Sequence, residues 1–498
     1  MQTTSNQWTK KTVLKSILIL VINIAVCVGI MTMLFMWDEK RFSLSAIREN
    51  FGNYSYVVLC MLLLSITLYF YFLFEKKRVL ENGKTLTMVF CILELSLVLC
   101  YASVKYVNIY ARPFALTALL AYLLLGRREA IFINIIGALF TLILDNYTLI
   151  LPTNEGVYAS LIAYFVAGMT AVFFANRIKT RLHVFLIGLI VIIPTELIVV
   201  LMRIPLILDN GKILLSNTQG LFKELLYGLA GGLLASVLVL ALTPVLERAF
   251  NRLTVFRLRE LTSSDAKLIR KMKDEAPGTY NHAAVVAQLA ESCAEALGEA
   301  GDMARAAALY HDVGKLHQPE YFTENQEDYN LHDELSPELS ADIIRSHTVD
   351  GYELIRANKL PQFFADVAVQ HHGTMPIRYF YTKAAKLTDG ELNIEDFSYT
   401  GPKPQTKIAT IIMIADASEA ASRSLKDRTP ENVEKVVRGV IEERMDLDQF
   451  SDCNITMKEL TIIRKTIVSS LSGVFHHRIE YPQIRYKRSE KSDEGTNV

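Results

Sequence analysis

The stretch Tyr310-His311-Asp312-Val313-Gly314-Lys315 closes an alanine-rich helical run and sets an imidazole beside a carboxylate, where both can reach one metal ion. An adjacent His-Asp pair is weak evidence alone, because such pairs are common as surface or capping residues. Its company changes the reading. His282 lies upstream, and His347, the pair His371-His372 and Asp416 lie downstream, each in a short apolar or helical context. Seven nitrogen and oxygen ligand candidates thus fall within about 135 residues.

Ligand type narrows the metal. Imidazole and carboxylate with no thiolate nearby suit Mn, Fe or Zn, and argue against an iron–sulfur cluster or a cysteine-type structural zinc site. Seven donors are too many for one tetrahedral ion. Two cations sharing a bridging carboxylate use them well, and such sites activate water and clamp phosphoryl oxygens during in-line displacement. The bland alternative is a set of scattered helix histidines with satisfied ring nitrogens.

The series His282, His311-Asp312, His347, His371-His372, Asp416 resembles the HD-domain metal-dependent phosphohydrolases in their two-metal form. Three surrounding segments, Ala276 to His282, the lid-like Phe322 to Gln326, and Met413 to Ala417, narrow the resemblance. They are similar to the seven-transmembrane HD phosphodiesterases of the PgpH type, which hydrolyse cyclic di-AMP. The resemblance runs from about Phe51 to Pro482. It implies one metal held by His282, His311, Asp312 and Asp416, a second held by His347, His371 and His372, and Asp312 bridging. Mn or Fe are the expected ions.

Composition agrees with a membrane half followed by a polar half. Of 498 residues 51% are hydrophobic, and the apolar excess is confined to the first half. Zero formal net charge leaves no basic stripe to displace counterions from a nucleic acid polymer. Cys27, Cys60, Cys91 and Cys100 lie in apolar segments and Cys293 and Cys453 stand alone, so neither a disulfide framework nor a CxxC site is indicated.

Eight apolar runs precede residue 250, at roughly 14–36, 55–74, 85–104, 107–125, 130–151, 157–176, 184–208 and 221–246. Most reach the roughly 20 residues that a bilayer-spanning helix needs. The fourth is interrupted by Arg112-Pro113, and the first reads as an uncleaved anchor. Basic residues gather in alternate loops, with Lys10, Lys11 and Lys15, Lys76 to Lys84, Arg127-Arg128, Arg177 to Arg181, and Arg248 to Arg259. The positive-inside rule then puts the N-terminus and everything after residue 247 in the cytoplasm, which requires an even number of spans. Within the spans, Glu94, Glu196 and Arg203 are costly at membrane depth and serve a ligand pocket, a relay or structural polar contacts. Gly228 and Gly232 read as a close helix contact.

The expected organisation is all-α: a cytoplasmic N-terminus 1–13, an anchor helix 14–36, a short extracellular loop 37–54, a seven-helix bundle 55–246, a linker helix 247–276, an HD catalytic domain 277–481 and a disordered polar tail 482–498. Members of the family carry a large extracellular domain after the anchor, and here only about 18 residues, Asp38 to Ser55, occupy that place. Leu258, Leu261, Leu268 and Met272 give the linker an apolar stripe, either a dimerising signalling helix or one packed on the domain. Residues 318–338 read as an acidic irregular loop and 374–406 as a long loop shaping a pocket.

The expected activity is hydrolysis of cyclic di-AMP to linear pApA at the cytoplasmic membrane, with His311 and Asp312 at the reacting centre. Lys315 either steadies a phosphate oxygen or pairs with an acid. Cyclic di-GMP is disfavoured, because that branch follows His-His-Gly with Gly-Tyr-Pro, whereas here Thr374-Met375-Pro376 follows His371-His372-Gly373. Guanosine tetraphosphate as substrate, and a nucleotide receptor without turnover, are the competing readings.

Overall fold

The computed structural model describes residues 10–39, 44–49, 51–148, 154–176, 178, 180–209, 212–213, 215–326, 329–387 and 390–474. The tail 482–498, the basic residues Arg177 and Lys179, and most of the N-terminal segment 1–13 lie outside them. The chain divides into two compact units at Glu260 and Leu261, inside the segment read as a linker.

Seven helices of the first unit are long and apolar enough to cross a membrane: Lys10–Trp37, Phe51–Glu75, Gly83–Tyr106, Arg127–Thr148, Gly156–Ala175, Arg181–Ile204 and Gly220–Phe250. The expected count of eight is therefore corrected among the described residues. The fourth run is the short apolar element Ile109–Leu125. It comprises a 3-10 turn, Ile109–Ala111, a break at Arg112-Pro113, and a helix, Leu116–Leu125, of only 10 residues. At 1.5 Å per residue that helix covers about half of a ~30 Å hydrocarbon core. Proline explains the break, since it lacks an N–H and disfavours α geometry in the residue before it.

The broken segment lies within the bundle, and Arg112 with it. Its side chain and that of Asp145 are both fully buried. Arg112 donates through Nε to the Cys100 carbonyl at 3.1 Å and through Nη1 to Asp145 Oδ2 at 2.7 Å, and also bonds Ser160. Of the polar residues expected at membrane depth, Arg203 pairs with Glu224, and Glu94 accepts the Cys27 thiol at 3.4 Å. Glu196 makes no hydrogen bond among the described residues, and its carboxylate fills the space beside Gly228. Gly232 lies so close to Gly188 that a Cβ there would meet the Gly188 carbonyl at 2.9 Å, the contact small residues permit between helices.

Among the described residues, the regular structure of the second unit is all helical. The four stripe residues Leu258, Leu261, Leu268 and Met272 are buried, but the segment is two helices, Val255–Leu261 and Lys267–Glu275, rather than one. Pro277 opens the next helix, Pro277–Ala296, as its first residue, the one place where its missing N–H costs nothing. Then follow Gly301–Tyr310, Pro337–Ala357, Gln362–Gln370, Lys407–Arg423, Pro430–Asp446 and Met457–Val474. The region 374–406 is less loop-like than expected. It contains the helix Arg378–Ala385 and a 3-10 turn at Ile394–Phe397, because Phe380, Ala384 and Phe397 bury a small satellite core with Ala341. The segment 318–338 holds three short 3-10 turns before the helix at Pro337 begins.

Candidate metal centre

Five helices and one 3-10 turn deliver the seven donors. His282 lies in the second turn of Pro277–Ala296. The helix Gly301–Tyr310 ends at its C-cap His311, and Asp312 leads into the 3-10 turn Val313–His317, so these two residues project from a helix end. His347 stands in the middle of Pro337–Ala357, His371-His372 follow the end of Gln362–Gln370, and Asp416 lies inside Lys407–Arg423. Gly314 lets the turn meet the His347 helix. A Cβ at that position would lie 1.9 Å from the His347 carbonyl oxygen, so a side chain would push Asp312 away from His347.

All seven come together, and six of them are buried, with His372 half-buried. Asp312 stands in the middle. Its Oδ2 lies 3.3 Å from His311 Nε2 and 3.6 Å from His282 Nε2, whereas its Oδ1 lies 3.4 Å from His347 Nε2 and 3.5 Å from His371 Nε2. Asp416 Oδ1 is 2.9 Å from His282 Nε2 and 3.8 Å from His311 Nε2, and its Oδ2 is 3.7 Å from His372 Nδ1. Three trios have donor atoms close enough to share one ion: His282, His311 and Asp416; His311, Asp312 and His371; and His347, His371 and His372.

The rings are held so that their free nitrogens face inward. His311 Nδ1 bonds the Ala308 carbonyl at 2.6 Å, His347 Nδ1 the Ile344 carbonyl at 2.5 Å, and His371 Nδ1 the Ala368 carbonyl at 2.8 Å. Each Nδ1–H is thus donated to the carbonyl three residues earlier, which turns Nε2 toward the centre, where it can serve as a ligand once its ring is neutral. His282 uses a carboxylate for the same purpose, with Nδ1 at 2.6 Å from Glu419 Oε2. Glu419 in turn accepts from Arg423 at 2.6 Å.

The donor set fits a divalent cation, because its imidazoles and carboxylates crowd together with more donor atoms than the chain's own contacts use. His311 Nε2 is buried and makes no hydrogen bond, a state that costs a buried polar atom about 1–3 kcal/mol, and Asp312 Oδ2 has only the Lys315 ammonium at 2.8 Å for its buried charge. Charge is unevenly spread around them. Burial works against the charged form of His282, but its hydrogen bonds to Asp416 and Glu419 outweigh burial and raise it to about 9. His311 is likewise raised to about 10, by Asp312 against burial. On the other side burial dominates and pushes His347 down to about 3, and His372 down as well. Asp312 and Asp416 stay ionised, since burial is outweighed by His311 and Lys315 for the first and by His282 and His311 for the second.

Lys315 is committed to acids in this structure, at 2.8 Å from Asp312 Oδ2 and 2.7 Å from Glu324 Oε1. Glu324 also accepts from Thr279 Oγ1 at 3.1 Å, and Asn325 accepts the Thr279 N–H at 3.1 Å, so the lid-like segment is tied to the His282 helix. Phe322 meets His347 edge-on at 5.7 Å between ring centroids. Sequence reasoning missed Glu419, although its position one helical turn after Asp416 puts both on one face. It also missed Tyr399, whose ring stacks on His372 at 4.3 Å between centroids, and no local pattern marks that residue.

Residues 51–254 match the family described as 7TM receptor with intracellular HD hydrolase, and residues 279–421 match the HD domain. Among curated proteins, the cyclic-di-AMP phosphodiesterase PgpH of Bacillus subtilis is 39% identical over 84% of this chain and 59% of its own length. The protein of the same name from Listeria monocytogenes is 38% identical over 74% of this chain and 50% of its own. The chain thus spans between half and three-fifths of the length of these relatives. A solved HD domain of the Listeria phosphodiesterase PgpH, in complex with cyclic-di-AMP, is 46% identical over 43% of this chain and 99% of that one, with a TM-score of 0.41.

Proposed function

From the premise that the chain belongs to the 7TM receptors with an intracellular HD hydrolase, we propose that it is a membrane-bound, metal-dependent phosphodiesterase that hydrolyses cyclic di-AMP to linear pApA. What carries the reading is Asp312, a buried carboxylate whose two oxygens are divided between His282 and His311 on one side and His347 and His371 on the other. That division suits two divalent cations with Asp312 bridging. His282, His311 and Asp416 would complete one site, and His347, His371 and His372 would form the other. Nitrogen and oxygen donors without sulfur favour Mn or Fe.

When bound, such cations lower the pKa of a water at neutral pH and neutralise charge on the phosphoryl oxygens. The chain's own groups do the rest. Glu419 and the Ala308, Ile344 and Ala368 carbonyls fix the ring orientations, so the donor geometry is set before substrate arrives. Asp312 and Asp416 remain anionic and act as ligands rather than as proton donors. Lys315, positive and held between Asp312 and Glu324, supplies a fixed charge at the edge of the centre, where a phosphate oxygen can exchange for one of its acids. Hydrolysis adds water to phosphorus, breaks one ribose 3′ ester and returns a proton to the leaving oxygen, which leaves a 5′-phosphate on the product.

The choice of cyclic di-AMP rests on the relatives and on Thr374-Met375-Pro376 in place of Gly-Tyr-Pro. The chain is a multi-pass membrane protein. A cytoplasmic face for the catalytic unit rests on the basic residues Arg248 to Arg259 beside it, and with seven spans the N-terminus would lie on the opposite face. A homodimer through the linker would have to use its polar face, as the four stripe residues are buried already. Incubating the purified full chain with cyclic di-AMP, cyclic di-GMP and guanosine tetraphosphate, and separating the products, tests the proposal. It expects pApA from the first at a far higher rate than cleavage of the others; binding of cyclic di-AMP without any product would overturn it.

A further inference from the structure

Tyr399 is not among the ligands, yet it touches two of them. Its ring lies nearly parallel to that of His372, at 4.3 Å and 27°, and stands edge-on to His347 at 6.0 Å. Its position is fixed from both sides. The Tyr399 N–H donates to the Met375 carbonyl at 3.0 Å, and the Ile377 N–H donates to the Phe397 carbonyl at 2.7 Å, closing a short antiparallel bridge between Pro376 and Ser398. Arg345, two residues before His347, reaches the carbonyls of Asp396 and Ser398 at 3.3 and 3.4 Å. The segment after His371-His372-Gly373 is thus folded back on the ligands and carries Tyr399 over them.

The Tyr399 N–H is used by the bridge, and its hydroxyl has no protein partner among the described residues. A hydroxyl with no protein partner, on a half-buried ring stacked against a metal-ligand histidine, is a donor kept for something else. A rigid neutral donor beside the centre is what a phosphoryl group gaining negative charge would use. The ring is already occupied on its His372 side, so base stacking is the lesser use of this residue.

We propose that Tyr399 is a catalytic residue, whose phenolic O–H donates a hydrogen bond to a non-bridging phosphoryl oxygen of the bound phosphodiester and holds it more strongly as charge builds there. No proton is transferred in this contact, so the bond changes remain those of the hydrolysis. The inference rests on the phosphodiesterase reading, and its test separates the two.

Tyr399→Phe keeps the ring and its stack and removes only the hydroxyl. In the full chain it should retain the wild-type metal content and lose no more than about tenfold in affinity for a non-hydrolysed phosphorothioate analogue of cyclic di-AMP, while kcat falls roughly 100-fold. Tyr399→Ala should lose kcat as well and, having lost the stack on His372, also bind metal more weakly. A Tyr399→Phe variant within about twofold of the wild-type kcat overturns the proposal, since the residue would then only position His372. Metal loss in Tyr399→Phe also overturns it. If the wild type leaves cyclic di-AMP intact, the substrate reading fails. The same variants assayed on bis(p-nitrophenyl) phosphate then still decide the role of Tyr399, because its hydrogen bond asks only for a phosphodiester.

Discussion

Two buried polar clusters, one in each unit, close in opposite ways. In the membrane unit, Arg112 and Asp145 satisfy each other, and the Cys100 carbonyl and Ser160 take two more guanidinium N–H groups, so that every nitrogen has a partner. In the second unit, six donors crowd around Asp312, and His311 Nε2 at the centre is left without a hydrogen bond. Both clusters break the rule that charged groups stay at the surface. The first is complete within the chain and reads as structure; the second is complete only with something added, and reads as chemistry.

Substitutions at the two centres should therefore fail differently. Asp312→Ala removes the bridging carboxylate, so bound metal and turnover should both vanish while the helical fold remains. Metal analysis beside circular dichroism checks this, and full metal occupancy in the variant would break the contrast. Arg112→Met should instead destabilise the membrane unit by about 3–5 kcal/mol, because it strands Asp145 in the interior. Adding Asp145→Leu should restore much of that stability, read as the thermal midpoint in detergent. No apolar pair would rescue the metal centre in the same way.

Smaller changes sharpen the comparison. Glu419 touches His282 and no other donor of the centre, so Glu419→Gln should leave the fold intact and weaken metal binding by roughly 10- to 100-fold. Titration with Mn against a competing chelator reads this, and an unchanged affinity would mean that His282 needs no anionic support. A third kind of polar contact gives the baseline. Glu459 pairs with Lys407 at 2.6 Å and caps its own helix by accepting the Thr456 N–H at 2.8 Å, near solvent. Glu459→Gln should cost at most about 1 kcal/mol. Its bond to Lys407 and then the Thr456 N–H depress Glu459 to about 2, so its contribution is present above the ordinary carboxylate range and is lost as pH falls towards that value. The stability gap between wild type and variant should accordingly close on acidification; a gap that widened would contradict the pairing.

The convergence of the His and Asp side chains was more legible than the bundle for a physical reason. His282, His347 and Asp416 ride on helices whose apolar periodicity is plain, and His311-Asp312 sits where Gly314 forces a turn, so residue types and local signals pointed the same way. Arg112 was visible only as an interruption. That it would shorten a helix and bury itself against Asp145 depends on a partner on another helix, which hydropathy does not record. Glu419 carried a weak signal, its spacing from Asp416. Tyr399 carried none, because the fold of 374–406 is decided by the tertiary contacts of Phe380, Phe397 and Arg345.

The most direct test is the number of divalent ions carried by each purified full-length chain, measured by elemental analysis for the wild type and Asp312→Ala. Two per chain in the wild type and none in the variant is the predicted result. A wild type that binds none after loading with Mn or Fe, or a variant that keeps both ions, would contradict it.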